Sequence, residues 1–213
     1  MNAALILSGG SGVRFGAQLP KQYIKILGKP VIEYVIEAAE KAHSIDCVMV
    51  AGHSLPELEE IKSRHGFVCA PGGDKRNVTL KNGLEALKAM GCDNVIILDA
   101  VRPLVTPELI DRYMGLLADC WDAVSTVHSI DDSLGCLDFQ KVDRSRYYLM
   151  QSPEAYRFGP LYAAFDPDSS LTEVAQQLDP AARVCLYKDF RFNPKLTYPE
   201  DLKYLTIVLE ERK

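Results

Sequence analysis

The chain has 213 residues, 47% of them hydrophobic and 25% charged, which is the composition of an ordinary globular domain and leaves little room for long disorder. Its formal charge of -5 and pI near 5.4 exclude a nonspecific nucleic-acid binder, because counterion release needs a positive face. Any anion it binds must therefore meet a local basic cluster.

Ala3 to Leu7 is a short apolar run ended by Ser8-Gly9-Gly10, the pattern of a buried parallel strand entering a loop. An irregular basic stretch follows to Lys21. Apolar residues at helical spacing (Val31, Ile32, Val35, Ile36, Ala39) predict a helix over 30–42, and Cys47 to Ala51 reads as the next strand, completing a βαβ unit. The alternation continues with a charged helix over 55–65, a strand over 67–70, a helix over 78–90 and a buried strand over 94–98. Thr106 and Pro107 are suited to the N-cap and first position of a helix over 106–118, and Ala123 to Val127 predicts another strand. Residues 131–143 are polar, contain Gly135 and lack helical periodicity, so they are expected to leave the sheet as a hairpin arm. Arg183 to Tyr187 reads as a late strand. A closing helix is expected over 199–211, capped by Thr197 or by Tyr198-Pro199. The expected fold is α/β, with a mostly parallel twisted sheet and helices on both faces.

Cys47, Cys69, Cys92, Cys120, Cys136 and Cys185 are scattered, with no C-x-x-C pair and no His at metal-ligand spacing. A reduced, cytoplasmic protein is the expectation. The first residues lack the charged leader of a signal peptide, and no apolar run approaches the roughly 18 to 20 residues of a membrane span. No membrane partner is expected.

In an open α/β sheet the ligand crevice lies beyond the carboxyl ends of the strands, which directs attention to the loop after Leu7. There Ser8, Gly9, Gly10, Ser11 and Gly12 are followed by Arg14 and Lys21. Glycines let backbone N–H groups approach phosphate oxygens, and the two cations strengthen such a cradle. A plain tight turn would also use these glycines, but it would not require the cations. Gly12 is followed three residues later by Phe15, and no helix opens before Pro30, so the dinucleotide-binding fingerprint of an NAD-dependent oxidoreductase fails; a Walker A loop fails for want of Gly-Lys-Ser/Thr.

Several blocks, in order, carry a resemblance that runs nearly end to end. They are Gly9 to Arg14 with Pro20-Lys21-Gln22-Tyr23, Gly72 to Arg76 with Thr79 and Asn82-Gly83-Leu84, and Asp99 to Pro103. Further on come Asp132-Ser133, Val142-Asp143-Arg144, Gln151-Ser152-Pro153, Leu171-Thr172-Glu173, Asn193 to Thr197 and Pro199 to Leu202. With them the chain resembles the family of 2-C-methyl-D-erythritol 4-phosphate cytidylyltransferases and the related ribitol-5-phosphate cytidylyltransferases. The resemblance implies a Rossmann-like nucleotidyltransferase domain over 1–213 and a CTP-dependent transfer of CMP to a polyol phosphate, with pyrophosphate released.

It also implies roles. Arg14, Lys21 and Lys195 would meet the charge that develops when two anionic phosphates are forced together, and a phosphate monoester needs no activating base. The first loop would hold the triphosphate, and Gly72, Gly73, Asp74 and Thr79 would surround the cytosine. Asp99 would bind magnesium, which typically takes one or two protein oxygens plus substrate phosphates, and would serve the acceptor together with Arg102. Ser133, Arg144 and Thr172 would complete the acceptor side across a homodimer, through a β-arm at about 131–150 exchanged between subunits. From the residues alone, Gly72-Gly73-Asp74 is also a good turn, Asp99 a partner for Arg102, and Arg144 a solvated charge.

The chain departs from the family pattern at Leu98, where His is common, at Gly135, where many erythritol-branch members carry Lys, and at Ser133 and Glu173, which replace Thr and Asp. Most of these changes fall on the acceptor side. Val101, the run from Arg76 to Asn82 and Tyr148 lean towards ribitol phosphate; Gln22-Tyr23 and Pro199 to Leu202 lean towards methylerythritol phosphate, the preferred acceptor. Leu98 and Gly135 also motivate a rival, a weakened relative that binds CTP without turnover. His43, His53, His65 and His128 read as structural or surface residues, and Trp121 as a packing residue at a helix end.

Overall fold

The first strand, β1 (Asn2–Ser8), is apolar on both faces because it lies at the middle of the fold. The structure is a computed structural model and describes residues 1–10, 15 and 19–212. In chain order come β2 (Lys25–Ile26), β3 (Lys29–Pro30), α1 (Val31–Lys41), β4 (Cys47–Gly52), α2 (Pro56–Lys62), β5 (Val68–Pro71), α3 (Arg76–Ala89) and β6 (Asn94–Asp99). Then follow α4 (Pro107–Asp119), β7 (Ala123–His128), β8 (Leu149–Arg157), α5 (Phe158–Ala164), β9 (Val184–Tyr187) and α6 (Asp201–Glu211).

One sheet has the strand order β5-β4-β1-β6-β8-β7-β9, and β2 and β3 form a separate small ribbon. β1 pairs in parallel with β4 and β6, β4 with β5, and β7 with β9, as the alternating pattern predicts. Ala4 and Ile6 face α1 and α4, in a cluster with Ile32, Ile36, Ile110 and Tyr113. Ala3, Leu5 and Leu7 face the opposite way, against Leu80, Leu84 and Leu87 of α3. Both faces of the sheet are thus covered, which is why its strands read as unbroken apolar runs. Thr106 caps α4 as expected, its Oγ1 accepting the Leu109 N–H at 3.3 Å.

β8 is an addition to the expected plan. It runs antiparallel between β6 and β7 and makes the sheet mixed. Proline inside a run normally argues against a central strand, because it cannot donate to the ladder. Here the β7 and β8 register shifts, Ser125 pairing with Glu154 and Thr126 with Gln151, so Ser152 and Pro153 form a bulge. Thr126 Oγ1 donates to the Pro153 carbonyl at 2.6 Å and fills the gap.

Two further expectations are corrected. The closing helix begins at Asp201, and neither Thr197 nor Tyr198 caps it with a side chain; instead the Asp201 carboxylate accepts their backbone N–H groups at 2.7 and 2.8 Å. The segment expected as a β-arm does leave the sheet between β7 and β8, but among the described residues it pairs as no strand before β8 begins. It carries one 3-10 turn at Arg144–Arg146. Leu137 and Phe139 on it are 102% and 96% exposed, so this chain offers the segment neither a core nor a partner strand.

Candidate functional site

β1 and β6 lie side by side in parallel, with Leu7 opposite Asp99, so both strands deliver their carboxyl ends to one place. A cavity of about 530 Å³ opens there. Its near wall is Ser8, Gly9, Gly10 and Lys21, and its far wall Gly73, Asp74 and Thr79. Gln22, though polar, is buried, because its Nε2 donates to the carbonyls of Ser8 at 2.9 Å and Gly10 at 3.1 Å and so pins the loop. Thr79 Oγ1 accepts the Gly73 N–H at 3.0 Å and donates to the Lys75 carbonyl at 3.2 Å, fixing the start of α3. The two walls touch: a Cβ on Gly9 would stand 2.4 Å from Thr79 Oγ1, which requires glycine there.

A second cavity, of about 590 Å³, adjoins the first and is lined in part by Arg102, Arg146, Tyr148, Thr172 and Glu173. Arg76, Asp99 and Lys195 line both cavities and stand at their junction. Lys195 Nζ donates to Asp99 Oδ2 at 2.8 Å, and Arg102 Nε lies 3.5 Å from the same oxygen. Burial alone would raise the Asp99 pKa; Lys195, Arg76 and Arg102 together overcome it and hold the carboxyl below its usual range. Arg102 is held by Gln151 Oε1 at 3.1 Å and by the Asn193 carbonyl. The Ser152 hydroxyl accepts the Asp99 N–H at 2.8 Å and so ties the β8 bulge to the site.

The second cavity is rich in groups that recognise hydroxyls and anions. The Glu173 carboxylate, itself buried, accepts from the Tyr148 hydroxyl at 3.0 and 2.9 Å and from Gln176 Nε2 at 2.8 Å. Burial and this acidic partner push the Tyr148 phenol up to about 12, so it remains a donor at neutral pH. Arg76, Arg102, Arg146 and Lys195 supply more positive charge than the net acidic chain leads one to expect at one spot.

A sequence profile of the 2-C-methyl-D-erythritol 4-phosphate cytidylyltransferase family matches residues 2–211. The chain belongs to that family. It is 32% identical to the 2-C-methyl-D-erythritol 4-phosphate cytidylyltransferase of Rubrobacter xylanophilus, over 99% of this chain and 95% of that protein. It is 33% identical to a bifunctional IspD/IspF enzyme of Rhodospirillum rubrum, over 94% of this chain and 55% of that longer protein. The fold is shared with the 4-diphosphocytidyl-2C-methyl-D-erythritol synthase of Anaerococcus prevotii, at a TM-score of 0.84 and 22% identity, over 99% of this chain and 96% of that one.

Of the site residues expected from the cytidylyltransferase resemblance, the two cavities bring together Ser8, Gly9, Gly10, Lys21, Gly73, Asp74, Thr79, Asp99, Arg102, Thr172 and Lys195. Ser11, Gly12 and Arg14 lie outside the described residues. Gly72 lines neither cavity. It packs behind the wall, donating its N–H to the Gly52 carbonyl at 2.7 Å, and a Cβ on it would meet the Gly52 carbonyl carbon at 2.8 Å. Ser133 and Arg144 are exposed and also line neither cavity, and Arg144 Nη1 donates to the carbonyls of Asp131 and Asp132.

Residues not singled out beforehand also form the walls. Arg76 belongs to the Gly72 to Arg76 block but carries no assigned role there, Arg146 has no sequence signal of its own, and His53, expected as a structural or surface residue, borders the first cavity. His65 fits its structural reading, with its ring between Glu33 and Glu40 at 3.1 and 2.8 Å.

Proposed function

We propose that the chain transfers CMP from CTP to 2-C-methyl-D-erythritol 4-phosphate and releases pyrophosphate, a step of isoprenoid precursor synthesis. The observation that carries this reading is the junction, where Arg76, Asp99 and Lys195 are shared by a glycine-walled cavity and a hydroxyl- and anion-binding cavity. CTP occupies the first and the polyol phosphate the second. A phosphate oxygen of the acceptor attacks the α-phosphorus of CTP and forms the new P–O bond; the bond between the α- and β-phosphates breaks, and its electron pair leaves with pyrophosphate. Negative charge concentrates on the five-coordinate phosphorus, and Lys21 and Lys195, which both line the first cavity, are assigned to meet it, with Arg14 in the same role.

Asp99 suits a single magnesium ion. Among the described residues the hydrogen bond from Lys195 and the close approach of Arg102 fall on Oδ2, and one carboxylate with substrate phosphates and waters is an ordinary magnesium environment. Among the described residues no cluster of three His, Cys, Asp or Glu side chains is poised to hold a metal without substrate. When bound, magnesium would neutralise the phosphates and orient them for in-line attack.

Comparing turnover of methylerythritol phosphate with that of ribitol phosphate at fixed CTP and magnesium tests the acceptor. Methylerythritol phosphate should be used at the higher kcat/KM. Preference for ribitol phosphate would move the chain to the related activity, and CTP binding without turnover of either acceptor would make it a sensor. Lys21→Ala should reduce turnover by about 100-fold or more, the scale of removing one transition-state charge partner. Near-normal rates in that variant would remove its assigned role.

The active protein is assigned as a cytoplasmic homodimer in which the whole chain acts as one nucleotidyltransferase domain. Among the described residues, no helix is long and apolar enough to cross a membrane. Support for the dimer comes from the exposed Leu137 and Phe139, apolar side chains on the segment that also carries Ser133 and Arg144. A partner subunit would cover them and supply those two polar groups. Sedimentation of Leu137→Glu/Phe139→Glu should show a monomer with reduced turnover, while a fully active dimer would contradict the arrangement.

A further inference from the structure

Glu154 lies on β8 at the middle of the sheet and is fully buried, yet it is an acid. A carboxylate removed from water is strongly disfavoured unless the protein supplies partners. Two are in place. Tyr156, also wholly buried and on the same face of β8, donates its hydroxyl to Oε2, and Arg76 Nη2 donates to Oε1 at 3.3 Å. Tyr156 thus occupies one carboxylate oxygen and leaves the other turned to Arg76. Burial pushes the Glu154 carboxyl up, and Arg76 is the largest influence against it.

Arg76 is the first residue of α3 and borders both cavities beside Asp99 and Lys195. A long side chain at an open junction has many rotamers and loses considerable freedom when fixed. A guanidinium carries five N–H donors in a rigid fork, so one arm can be held from within the protein while others are kept for a phosphate. The pairing of Glu154 with Arg76 supplies such a hold.

We infer that Glu154, oriented by Tyr156, is a positioning residue that fixes the Arg76 guanidinium at the junction of the two cavities, ready to meet the phosphate oxygens of the reacting pair. The inference rests on the cytidylyl-transfer reading above. Glu154 also borders the second cavity, but both its carboxylate oxygens are engaged, by Tyr156 and Arg76, so its assigned role is exerted through Arg76.

A double-mutant cycle tests this, using Glu154→Gln, Arg76→Ala and the double variant, with Tyr156→Phe as an isosteric probe of the same hold. For each, kcat, both KM values and the melting temperature are measured with CTP, magnesium and methylerythritol phosphate. Glu154→Gln should lower kcat/KM by about 10- to 100-fold, the range of one charge-assisted hydrogen bond at a site that matters for the transition state. Tyr156→Phe should lower it less. The double variant should be no slower than Arg76→Ala alone, because the hold has nothing left to hold.

Wild-type rates in Glu154→Gln, or losses that multiply in the double variant, would overturn the inference, since a merely structural residue costs the same with or without Arg76. Should Glu154→Gln fail to fold, the cycle of Tyr156→Phe with Arg76→Ala gives the same decision. Absence of turnover in the unsubstituted chain would remove the cytidylyl-transfer reading instead, so the two failures are distinguishable.

Discussion

Lys195→Ala is expected to lower kcat by about 100-fold or more while leaving the fold intact, the size of loss that follows removal of a preorganised charge partner. The lysine side chain is 38% exposed, and its backbone is anchored by its neighbour: Leu196 is fully buried, and its N–H donates to the Val101 carbonyl at 2.9 Å. Losing a partly exposed ion pair should therefore change stability by no more than about 1 kcal/mol. The effect belongs mainly to kcat, because charge on the α-phosphorus grows only as the new bond forms. Steady-state rates and a melting curve check both parts, and unchanged kcat would separate Lys195 from the chemistry.

Asp99→Asn should be at least as damaging, with a fall in kcat of about 100-fold or more and a higher apparent requirement for magnesium. The substitution keeps the size of the side chain and spares the bond from the Asp99 N–H to Ser152 Oγ, so the end of β6 stays in place. It removes the charge on which Lys195, Arg76 and Arg102 converge. Those cations would then repel one another and bind the substrates' phosphates in the ground state more tightly than the reaction needs. A magnesium titration of the variant checks this, and an unaltered magnesium dependence would remove Asp99 as the ligand.

The framework of the fold was legible where burial acts on both faces of a strand. Ala3 to Leu7, Cys47 to Ala51 and Val95 to Leu98 are unbroken apolar runs because helices cover them above and below, and Thr106 with Pro107 marks a helix start by local chemistry alone. β8 escaped notice because Pro153 interrupts it and Glu154 sits in it, two features that argue against a central strand until the bulge opposite Thr126 and the Arg76 guanidinium are seen. The start of α6 was misplaced because its anchoring runs from the Asp201 side chain back to Thr197 and Tyr198, the reverse of an N-cap.

In the site, residues at strand ends and glycine turns were readable from their place in the chain. Lys195 and Asp99 are brought together from 96 positions apart, a pairing that only the family resemblance could anticipate. Arg76 and Glu154 have a related explanation: each has an ordinary local reading, and their meaning comes from β8 lying beside β6, which brings Glu154 within reach of Arg76 at the start of α3. Ser133 and Arg144 line neither cavity in the single chain, and their role across a homodimer stands as a proposal.

The most direct test follows the phosphorus. CTP radiolabelled at its α-phosphate is incubated with the protein, magnesium and methylerythritol phosphate, and the products are separated. The α-label should appear in a cytidine diphosphate ester of the polyol, and none should appear in pyrophosphate. Label released as free CMP, or retained in CTP while the acceptor goes unchanged, would contradict transfer at the junction of the two cavities.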